Sequence, residues 1–404
     1  MEDNNWLNVV QFVPYYPPNK NGVGIHAHEW WKYWIKKWYG KVFVVTTNIG
    51  QKITDFDELV VFEGETIGYY KDGVEVLLVP GKKKLSGFYN YKKFSKEYLS
   101  VQNYLNSLQV DIVITRTRYF PTSYEWLTFA RRNNICNVHI EHSSDYVNLP
   151  SKIKTWAANI YDKVFWKKLM KNTDKIIPIS YACKEFVENN FGINSSEVVY
   201  RWVETTSFLN EIKYFDLKQM YPEKIIIGFV GRLYKWKNVD SLIRAYYELP
   251  SDLQEKVQIV IVWDWEDFWR LKSIDAGNYI TFLGELDFDE TMKTQKQFDI
   301  FFHCSSKGGG FPISLLQWMR LGCFPIASPY EWAKEVITND DNWILLEDDT
   351  KASFVEGIEK ALEMLDYKED YARKNKELIN NYFDRNNNIT NYYKIFSDMK
   401  NLEN

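Results

Sequence analysis

The sequence predicts an α/β protein with two doubly wound domains, each a mostly parallel sheet covered by helices on both faces. Short β-branched runs alternate with amphipathic helical stretches along nearly the whole chain, as such sheets require. Twelve runs are too many for one comfortable open sheet, which favours two sheets. The runs are LNVVQFV, KVFVVTT, VEVLLVP, DIVIT, NVHIEH and DKIIPIS, then KIIIGFV, VQIVIV, YITFLG, FDIFFHC, CFPIAS and NWILLE.

The length of the chain supports the same division. Its 404 residues, 45% hydrophobic and 26% charged, suit two domains of roughly 200 residues each. We predict an N-terminal domain over 1–205 and a C-terminal domain over 206–385, with the boundary in an irregular stretch near 204–224. Residues 386–404 are expected to form a helix that packs back toward the N-terminal domain.

Composition excludes several classes of protein. The net charge of −4 provides no global basic field for nucleic acid. The four cysteines contain no CxxC pair, which argues against a zinc site or a disulfide framework and favours a reducing cytoplasm. The first residues are acidic and precede only a short apolar run, so neither a signal peptide nor a membrane span is expected.

One motif, IIIGFVGRLYKWKNVDSLIRAY, predicts an anion site. A strand ends at Gly231, and Arg232 and Lys237 follow just before a helix. Two cations and a helix N-terminus at the carboxyl end of a parallel strand suit a diphosphate, which arginine binds through two oxygens. The alternative is a solvated basic turn.

A second motif, FFHCSSKGGGFPISLLQWMRLGCFPIAS, places a glycine run after a buried strand. Gly308 to Gly310 would expose backbone N–H groups to a ligand and allow its close approach. Gln317 lies in the helix that begins near Pro312. The alternative is a flexible loop without a ligand.

Together the two motifs resemble the donor-binding half of the GT-B glycosyltransferases, in particular the retaining family 4. The family pattern GRL…K matches Gly231, Arg232, Leu233 and Lys237. Its EGFG…LLEAM…G.PVIAS pattern matches Gly310, Phe311, Leu315, Leu316, Met319, Gly322, Pro325, Ile326, Ala327 and Ser328. The resemblance continues upstream, through Gly22, Val23 and His26 in the first glycine loop and His142 in VHIEHSSDY, and covers nearly the whole chain.

This resemblance implies two Rossmann-like domains that face each other across a cleft. A nucleotide sugar, with UDP or GDP, would bind the C-terminal domain, and a glycan or lipid-linked acceptor would bind the N-terminal domain. Transfer would proceed with retention and without a metal or other cofactor, because protein cations neutralise the diphosphate. The implied catalytic residues are His142, Arg232 and Lys237. The implied donor-binding residues are Gly22, Gly231, Arg232, Lys237, Gly309, Gly310, Phe311 and Gln317.

The chain departs from the family at two positions. Family members carry glutamates where this sequence has Gly309 and Gln317. Gln317 can still hydrogen-bond ribose hydroxyls, whereas Gly309 offers no side chain to the donor sugar. Lys307 nearby would suit an acidic sugar. Two alternatives therefore stand beside transfer: a catalytically silent GT-B subunit that binds nucleotide or glycan, and a nucleotide-sugar epimerase.

Two basic-aromatic stretches suggest peripheral contact with the inner face of a membrane. They are HEWWKYWIKKWYGK, from His28 to Lys41, and GKKKLSGFYNYKKFSKEY, which holds Lys82 to Lys84, Lys92, Lys93 and Lys96. The alternative is a helix whose aromatic face packs on the sheet. Two acidic stretches, Asp55 to Glu58 and Asp287 to Glu290, are interpreted as turns and helix caps rather than metal sites.

The tryptophans are unusual in number and position. The chain has 16 Trp against 19 Gly, and seven Trp occupy positions where the family or the local turn has glycine. We hypothesise that the source reads UGA as glycine and that these codons were translated as tryptophan. The alternative is an aromatic glycan-binding surface. The seven positions are Trp38, Trp202, Trp236, Trp263, Trp265, Trp332 and Trp343.

Overall fold

A computed structural model of the chain divides into two compact units. Unit 1 comprises Met1–Val199 with Asn386–Asn404, and unit 2 comprises Tyr200–Arg385. The structure describes residues 6–18, 22–49, 56–83, 89–146, 151–203, 215–262, 267–305, 313–329, 331–336 and 343–403. The glycine run, Trp263 and Trp265 therefore lie outside the described residues.

Unit 1 is built on an eight-stranded sheet with strand order β10-β9-β8-β1-β2-β5-β4-β3. Its parallel strands are almost completely buried, as expected for a sheet covered on both faces, whereas β3 and β4 are partly exposed. The strands are β1 (Leu7–Phe12), β2 (Gly40–Thr47), β3 (Glu58–Phe62), β4 (Glu65–Lys71), β5 (Val74–Val79), β8 (Ile112–Arg116), β9 (Cys136–Glu141) and β10 (Lys175–Pro178), with a separate ribbon of β6 (Gly81–Lys83) and β7 (Tyr89–Tyr91).

The predicted parallel arrangement holds for most of this sheet. Strands β3 and β4 are the exception, because they form an antiparallel hairpin that joins the sheet through β5. The helices of unit 1 are α1 (Gly22–Lys36), α2 (Lys96–Ser107), α3 (Thr122–Arg132), α4 (Lys152–Tyr161), a π-helical turn (Asp162–Trp166), α5 (Lys167–Met170), α6 (Tyr181–Phe191) and the C-terminal helix (Arg385–Glu403).

The aromatic face of α1 is buried against the C-terminal helix. The ring centres of Trp30 and Tyr392 lie 4.8 Å apart, and those of Trp34 and Phe396 lie 5.7 Å apart. Trp31 is also buried. The packing alternative therefore describes Trp30, Trp31 and Trp34, whereas Trp38 at the end of the stretch is exposed.

Unit 2 is built on a six-stranded parallel sheet with order β13-β12-β11-β14-β15-β16. Its strands are β11 (Ile225–Val230), β12 (Val257–Val262), β13 (Thr281–Gly284), β14 (Ile300–His303), β15 (Phe324–Ala327) and β16 (Ile344–Leu345). Its helices are α7 (Leu217–Met220), a 3-10 turn (Lys235–Lys237), α8 (Val239–Tyr246), α9 (Ser251–Lys256), α10 (Phe268–Ile274), α11 (Phe288–Gln295), α12 (Ile313–Leu321), α13 (Glu331–Val336), α14 (Lys351–Met364), a 3-10 turn (Leu365–Tyr367) and α15 (Lys368–Tyr382).

The acidic stretch that begins at Asp287 caps a helix. The Asp287 carboxylate accepts a hydrogen bond from the backbone N–H of Glu290, whose side chain reaches back to the Asp287 N–H. This capping box begins α11 and confirms the interpretation as a cap. In the other acidic stretch, Asp55 lies outside the described residues and Glu58 begins β3.

Candidate active site

The candidate donor site lies where the strand order of unit 2 reverses. Strands β11 and β14 are neighbours, while the chain continues from β11 to β12 on one side and from β14 to β15 on the other. In open α/β sheets, ligands bind outside the carboxyl ends of the strands at this switch point. The two motifs singled out in the sequence follow directly after β11 and β14.

Gly231 makes the turn that leaves β11. Its φ of +155° is rare for residues with a side chain, and its N–H donates a 3.3 Å hydrogen bond to the carbonyl of Val262 at the end of β12. The turn directs the chain out of the sheet, and Arg232 is exposed immediately afterwards. A glycine at this position is therefore a backbone requirement as well as a match to the motif.

Lys237 lies beside the end of β14. Its Nζ donates a 3.1 Å hydrogen bond to the hydroxyl of Ser305, two residues after the last residue of that strand. Burial lowers the pKa of Lys237 to about 8, although the neighbouring Cys304 acts in the opposite direction. Among the described residues, no carboxylate forms an ion pair with this ammonium. A partly desolvated cation without a counter-charge favours an anionic ligand.

The surroundings of Lys237 fit the predicted anion site. Helix α8 begins two residues later, after Asn238 in a left-handed conformation. The ring centre of Trp236 lies 4.5 Å from the Lys237 Nζ. Ser305 is the last described residue before the glycine run, and half-buried Gln317 follows the run in α12.

For several predicted donor-binding residues, the structure describes no side chain. Gly309, Gly310 and Phe311 lie outside the described residues. Gly22 is the first residue of α1, at the start of a helix, as the first glycine loop predicts. These positions stay predictions.

The candidate acceptor site of unit 1 is organised by Glu141, the last residue of β9. One of its carboxylate oxygens accepts 2.9 Å hydrogen bonds from the backbone N–H groups of both His142 and Ser143. The same oxygen lies 3.0 Å from the Arg118 guanidinium. The backbone at His142 is therefore held by a buried, charged anchor.

Arg118 connects this anchor to two other segments. Its Nε donates a 3.2 Å hydrogen bond to Asp162, and another nitrogen donates to the carbonyl of Asp145 at 2.5 Å. Arg118 is completely buried, so its charge is compensated almost entirely by these partners. The cluster ties the loop after His142 to the π-helical turn that begins at Asp162.

The two carboxylates of this cluster have pKa values shifted in opposite directions. Burial alone would raise the pKa of Glu141, but the charge of Arg118 and hydrogen bonds from His139 and the backbone lower it to about 2. Burial raises the pKa of Asp162 to about 6, with Arg118 acting against that rise. Sequence reasoning missed Arg118, Glu141 and Asp162. No local motif or spacing indicated them, because only tertiary contacts bring these three residues together.

The described residues contain neither a candidate metal site nor a helix that could span a membrane. In the described part of the chain, no group of three or more His, Cys, Asp or Glu could hold a metal ion. Among the described helices, none is both long and apolar enough to cross a bilayer.

Two Rossmann-like units, one with a cation at the switch point of its sheet, define a GT-B glycosyltransferase. The chain belongs to glycosyltransferase family 4. The family described as Glycosyltransferase Family 4 matches residues 20–207, and Glycosyl transferases group 1 matches residues 211–378. An uncharacterized glycosyltransferase of Methanocaldococcus jannaschii is 32% identical over 403 residues, covering 98% of this chain and 99% of that protein.

Three further proteins are similar to this chain. A Campylobacter jejuni N-acetylgalactosamine-N,N'-diacetylbacillosaminyl-diphospho-undecaprenol 4-alpha-N-acetylgalactosaminyltransferase is 28% identical over 54% of this chain and 58% of its own length. A glycosyltransferase structure from Rickettsia africae has a TM-score of 0.72 at 18% identity, covering 98% of this chain and 99% of that one. Anabaena HepE, solved in complex with UDP, has a TM-score of 0.67 at 14% identity, covering 97% of this chain and 100% of HepE. These structures confirm the predicted fold.

Proposed function

We propose that this glycosyltransferase moves a sugar from a nucleoside-diphosphate sugar to a glycan or lipid-linked acceptor, with retention at the anomeric carbon. The observation that carries the proposal is Lys237, a partly desolvated ammonium bound to Ser305 at the switch point of unit 2. A diphosphate leaving group gains negative charge as its bond to the sugar breaks. Lys237 and Arg232 would stabilise that charge where it develops.

In the proposed reaction, the bond between the anomeric carbon and the diphosphate oxygen breaks, and its electron pair leaves with the nucleotide. An acceptor hydroxyl forms the new bond on the same face of the sugar, and its proton passes to the departing phosphate oxygen. His142 would lie beside the donor sugar, with its backbone anchored by Glu141. The two cations would take the role that a divalent ion has in other transferases.

The acceptor class is inferred from the relatives and from the anchored loop of unit 1. The Campylobacter relative is named for transfer to a diphospho-undecaprenol acceptor, and HepE was solved with UDP. A role in cell-surface glycan synthesis at the inner face of a membrane follows from such an acceptor. UDP is the first nucleotide to test, and GDP is the second.

Transfer is tested with a panel of UDP and GDP sugars and a lipid extract as acceptor. We expect one donor to give a glycosylated product whose anomeric proton coupling, measured by NMR, matches that of the donor. The reaction should proceed unchanged in EDTA. An inverted product would overturn retention, and loss of transfer in EDTA would overturn metal independence.

A catalytically silent subunit is the second candidate, because Gly309 and Gln317 replace two glutamates of the family. Such a subunit would bind nucleotide without transferring sugar. The paired substitution Gly309→Glu with Gln317→Glu separates the two: it should preserve or raise transfer from a neutral hexose donor if the site is active. An epimerase would instead convert the donor without any acceptor, so a donor-only incubation tests that alternative.

A further inference from the structure

Unit 1 exposes an apolar stripe along the helical segment from Lys152 to Met170, which we call the docking helix. Its side chains recur every three or four residues and therefore share one face. Ile153 and Val164 are the most exposed, at 78% and 70% of their surface. The stripe consists of Ile153, Trp156, Ile160 and Val164. On the opposite face, Asp162, Trp166 and Met170 are buried against the unit.

Lysines flank this stripe along the docking helix, and this segment has no exposed acidic residue. The only acidic residue from 152 to 171 is Asp162, which is buried and bound to Arg118. The docking helix and the residue after it therefore present a strongly positive outer surface. The lysines whose side chains the structure describes are Lys152, Lys163, Lys167, Lys168 and Lys171.

An aromatic path extends this surface to the lysine-rich turn before α2. The rings of Tyr161 and Phe165 stack at 4.8 Å, and Phe165 lies 5.5 Å from the ring of Tyr124. The Lys93 Nζ lies 5.4 Å from the centre of the Tyr124 ring. Phe94, beside it, is 84% exposed. The docking helix and this turn thus form one surface, to which the turn adds aromatic area, while its Lys93 is ion-paired with Glu125.

We propose that this surface docks unit 1 on an anionic lipid bilayer. A contiguous exposed apolar stripe is unusual on a soluble protein and marks an interaction site. Aliphatic and aromatic side chains flanked by lysines match the boundary between acyl chains and anionic headgroups. Nucleic acid fits less well, because an aliphatic stripe offers its phosphates and bases no polar partner. The inference deepens the proposed function, since it brings the protein to a membrane that carries lipid-linked acceptors.

The docking helix is joined to the candidate acceptor loop by one side chain. Arg118 binds Asp162 on the buried face of this helix and Glu141, which holds the backbone of His142. The π-helical turn at Asp162 is itself a rare feature that often occurs at functional sites. Docking would therefore bring headgroups close to the loop that receives the acceptor.

Vesicle co-sedimentation of the full chain tests this inference without any substrate. Vesicles of phosphatidylcholine alone are compared with vesicles of phosphatidylcholine and phosphatidylglycerol in equal parts. We expect binding to the mixed vesicles only, weakened by high salt. The double variant Ile153→Glu, Val164→Glu should bind at least about tenfold more weakly. Leu402→Glu is the matched control, since this exposed leucine lies outside the surface and should leave binding unchanged.

Release of nucleoside diphosphate from a sugar nucleotide, measured in solution, keeps this test separate from the proposed function. If that activity is present and the folded wild type does not bind anionic vesicles, the proposed docking surface is refuted. The proposed transferase function would not be affected by this result. Equal binding by the wild type and the folded double variant would refute the assignment to the docking helix. A circular-dichroism melt establishes that both variants are folded.

Discussion

The ammonium of Lys237 donates a 3.1 Å hydrogen bond to the hydroxyl of Ser305, and this contact links the two sequence motifs of unit 2. The residues are 68 positions apart in the chain. They meet because β11 and β14 are parallel neighbours whose carboxyl ends share one edge of the sheet. This contact joins the basic turn after β11 to the segment between β14 and the glycine run.

Lys237→Met should weaken the binding of nucleoside diphosphate about a hundredfold, because it removes a charge-assisted donor worth roughly 2–3 kcal/mol. Arg232→Ala should act in the same direction, since its exposed guanidinium would meet the same diphosphate. Isothermal titration with UDP and GDP measures both effects. Lys235→Met is the matched control, because this exposed lysine lies in the same 3-10 turn and should bind nucleotide like the wild type. Equal affinity in all variants would place the diphosphate elsewhere.

Nucleotide affinity should depend on pH through Lys237. Burial lowers its pKa to about 8 in the free protein, and a bound diphosphate would raise that pKa by stabilising the charged form. Binding therefore takes up a proton above about pH 8, and affinity should fall by up to about tenfold per pH unit there. In Lys237→Arg the guanidinium stays charged, so the decline should vanish. A decline of the same size in that variant would assign the titration to another group.

Glu141→Gln should destabilise unit 1 by about 3 kcal/mol, because it removes a charge from a buried cluster while Arg118 stays buried. The folded pKa of Glu141 is depressed to about 2, so its contribution is present above the ordinary carboxylate pKa and is lost as pH falls toward 2. Urea unfolding at neutral and acidic pH measures the effect. Glu185→Gln, on the exposed face of α6, should change stability by less than about 0.5 kcal/mol. Similar losses in the two variants would mean that the cluster has no special role.

The backbone at the end of α1 has a left-handed conformation that favours glycine. Trp38 has a φ of +59°, its N–H donates to the carbonyl of Ile35, and the N–H of Tyr39 donates to the carbonyl of Trp34. These two bonds form a Schellman motif, in which the residue at position 38 is usually glycine. Trp38→Gly should therefore stabilise the protein by about 1 kcal/mol in thermal unfolding. Trp156→Gly, at a similarly exposed site inside α4, should destabilise it by about the same amount. If Trp38→Gly does not stabilise the protein, the backbone at position 38 does not favour glycine.

The gene tests the recoding hypothesis directly: we expect UGA at the seven named codons and UGG at other tryptophans. The structure supports this most strongly at Trp38. Trp202 and Trp343 are buried, so the structure adds no support for the hypothesis at these two positions. Seven UGG codons would refute the hypothesis.

Patterns local in sequence predicted the strands and the switch-point site, because buried parallel strands are continuous β-branched runs and their turns carry glycine and cations. The hairpin of β3 and β4 was missed because these strands are partly exposed and lack the long β-branched run of a strand that is buried on both faces. The partner of the aromatic face of α1 could not be read from the sequence, because periodic tryptophans look the same whether they meet lipid or, as Trp30 and Trp34 do, the C-terminal helix.

The contacts of Arg118 were beyond sequence reasoning for a different reason. Its partners Glu141 and Asp162 lie 23 and 44 residues away, so no spacing rule relates them. Only the pairing of β8 with β9 brings the first pair together, and only the packing of the π-helical turn adds the second. Residues that position a catalytic loop are often of this kind, since they act through tertiary contacts.

The most direct test of the central claim is the release of nucleoside diphosphate from a panel of UDP and GDP sugars, with and without a lipid-linked acceptor fraction. We predict that one sugar nucleotide gives acceptor-dependent release in the wild type and in Lys235→Met. In Lys237→Met that release should fall about a hundredfold. Acceptor-dependent release that is unaffected by Lys237→Met, or no release from any donor by folded protein that binds UDP or GDP, would contradict the account.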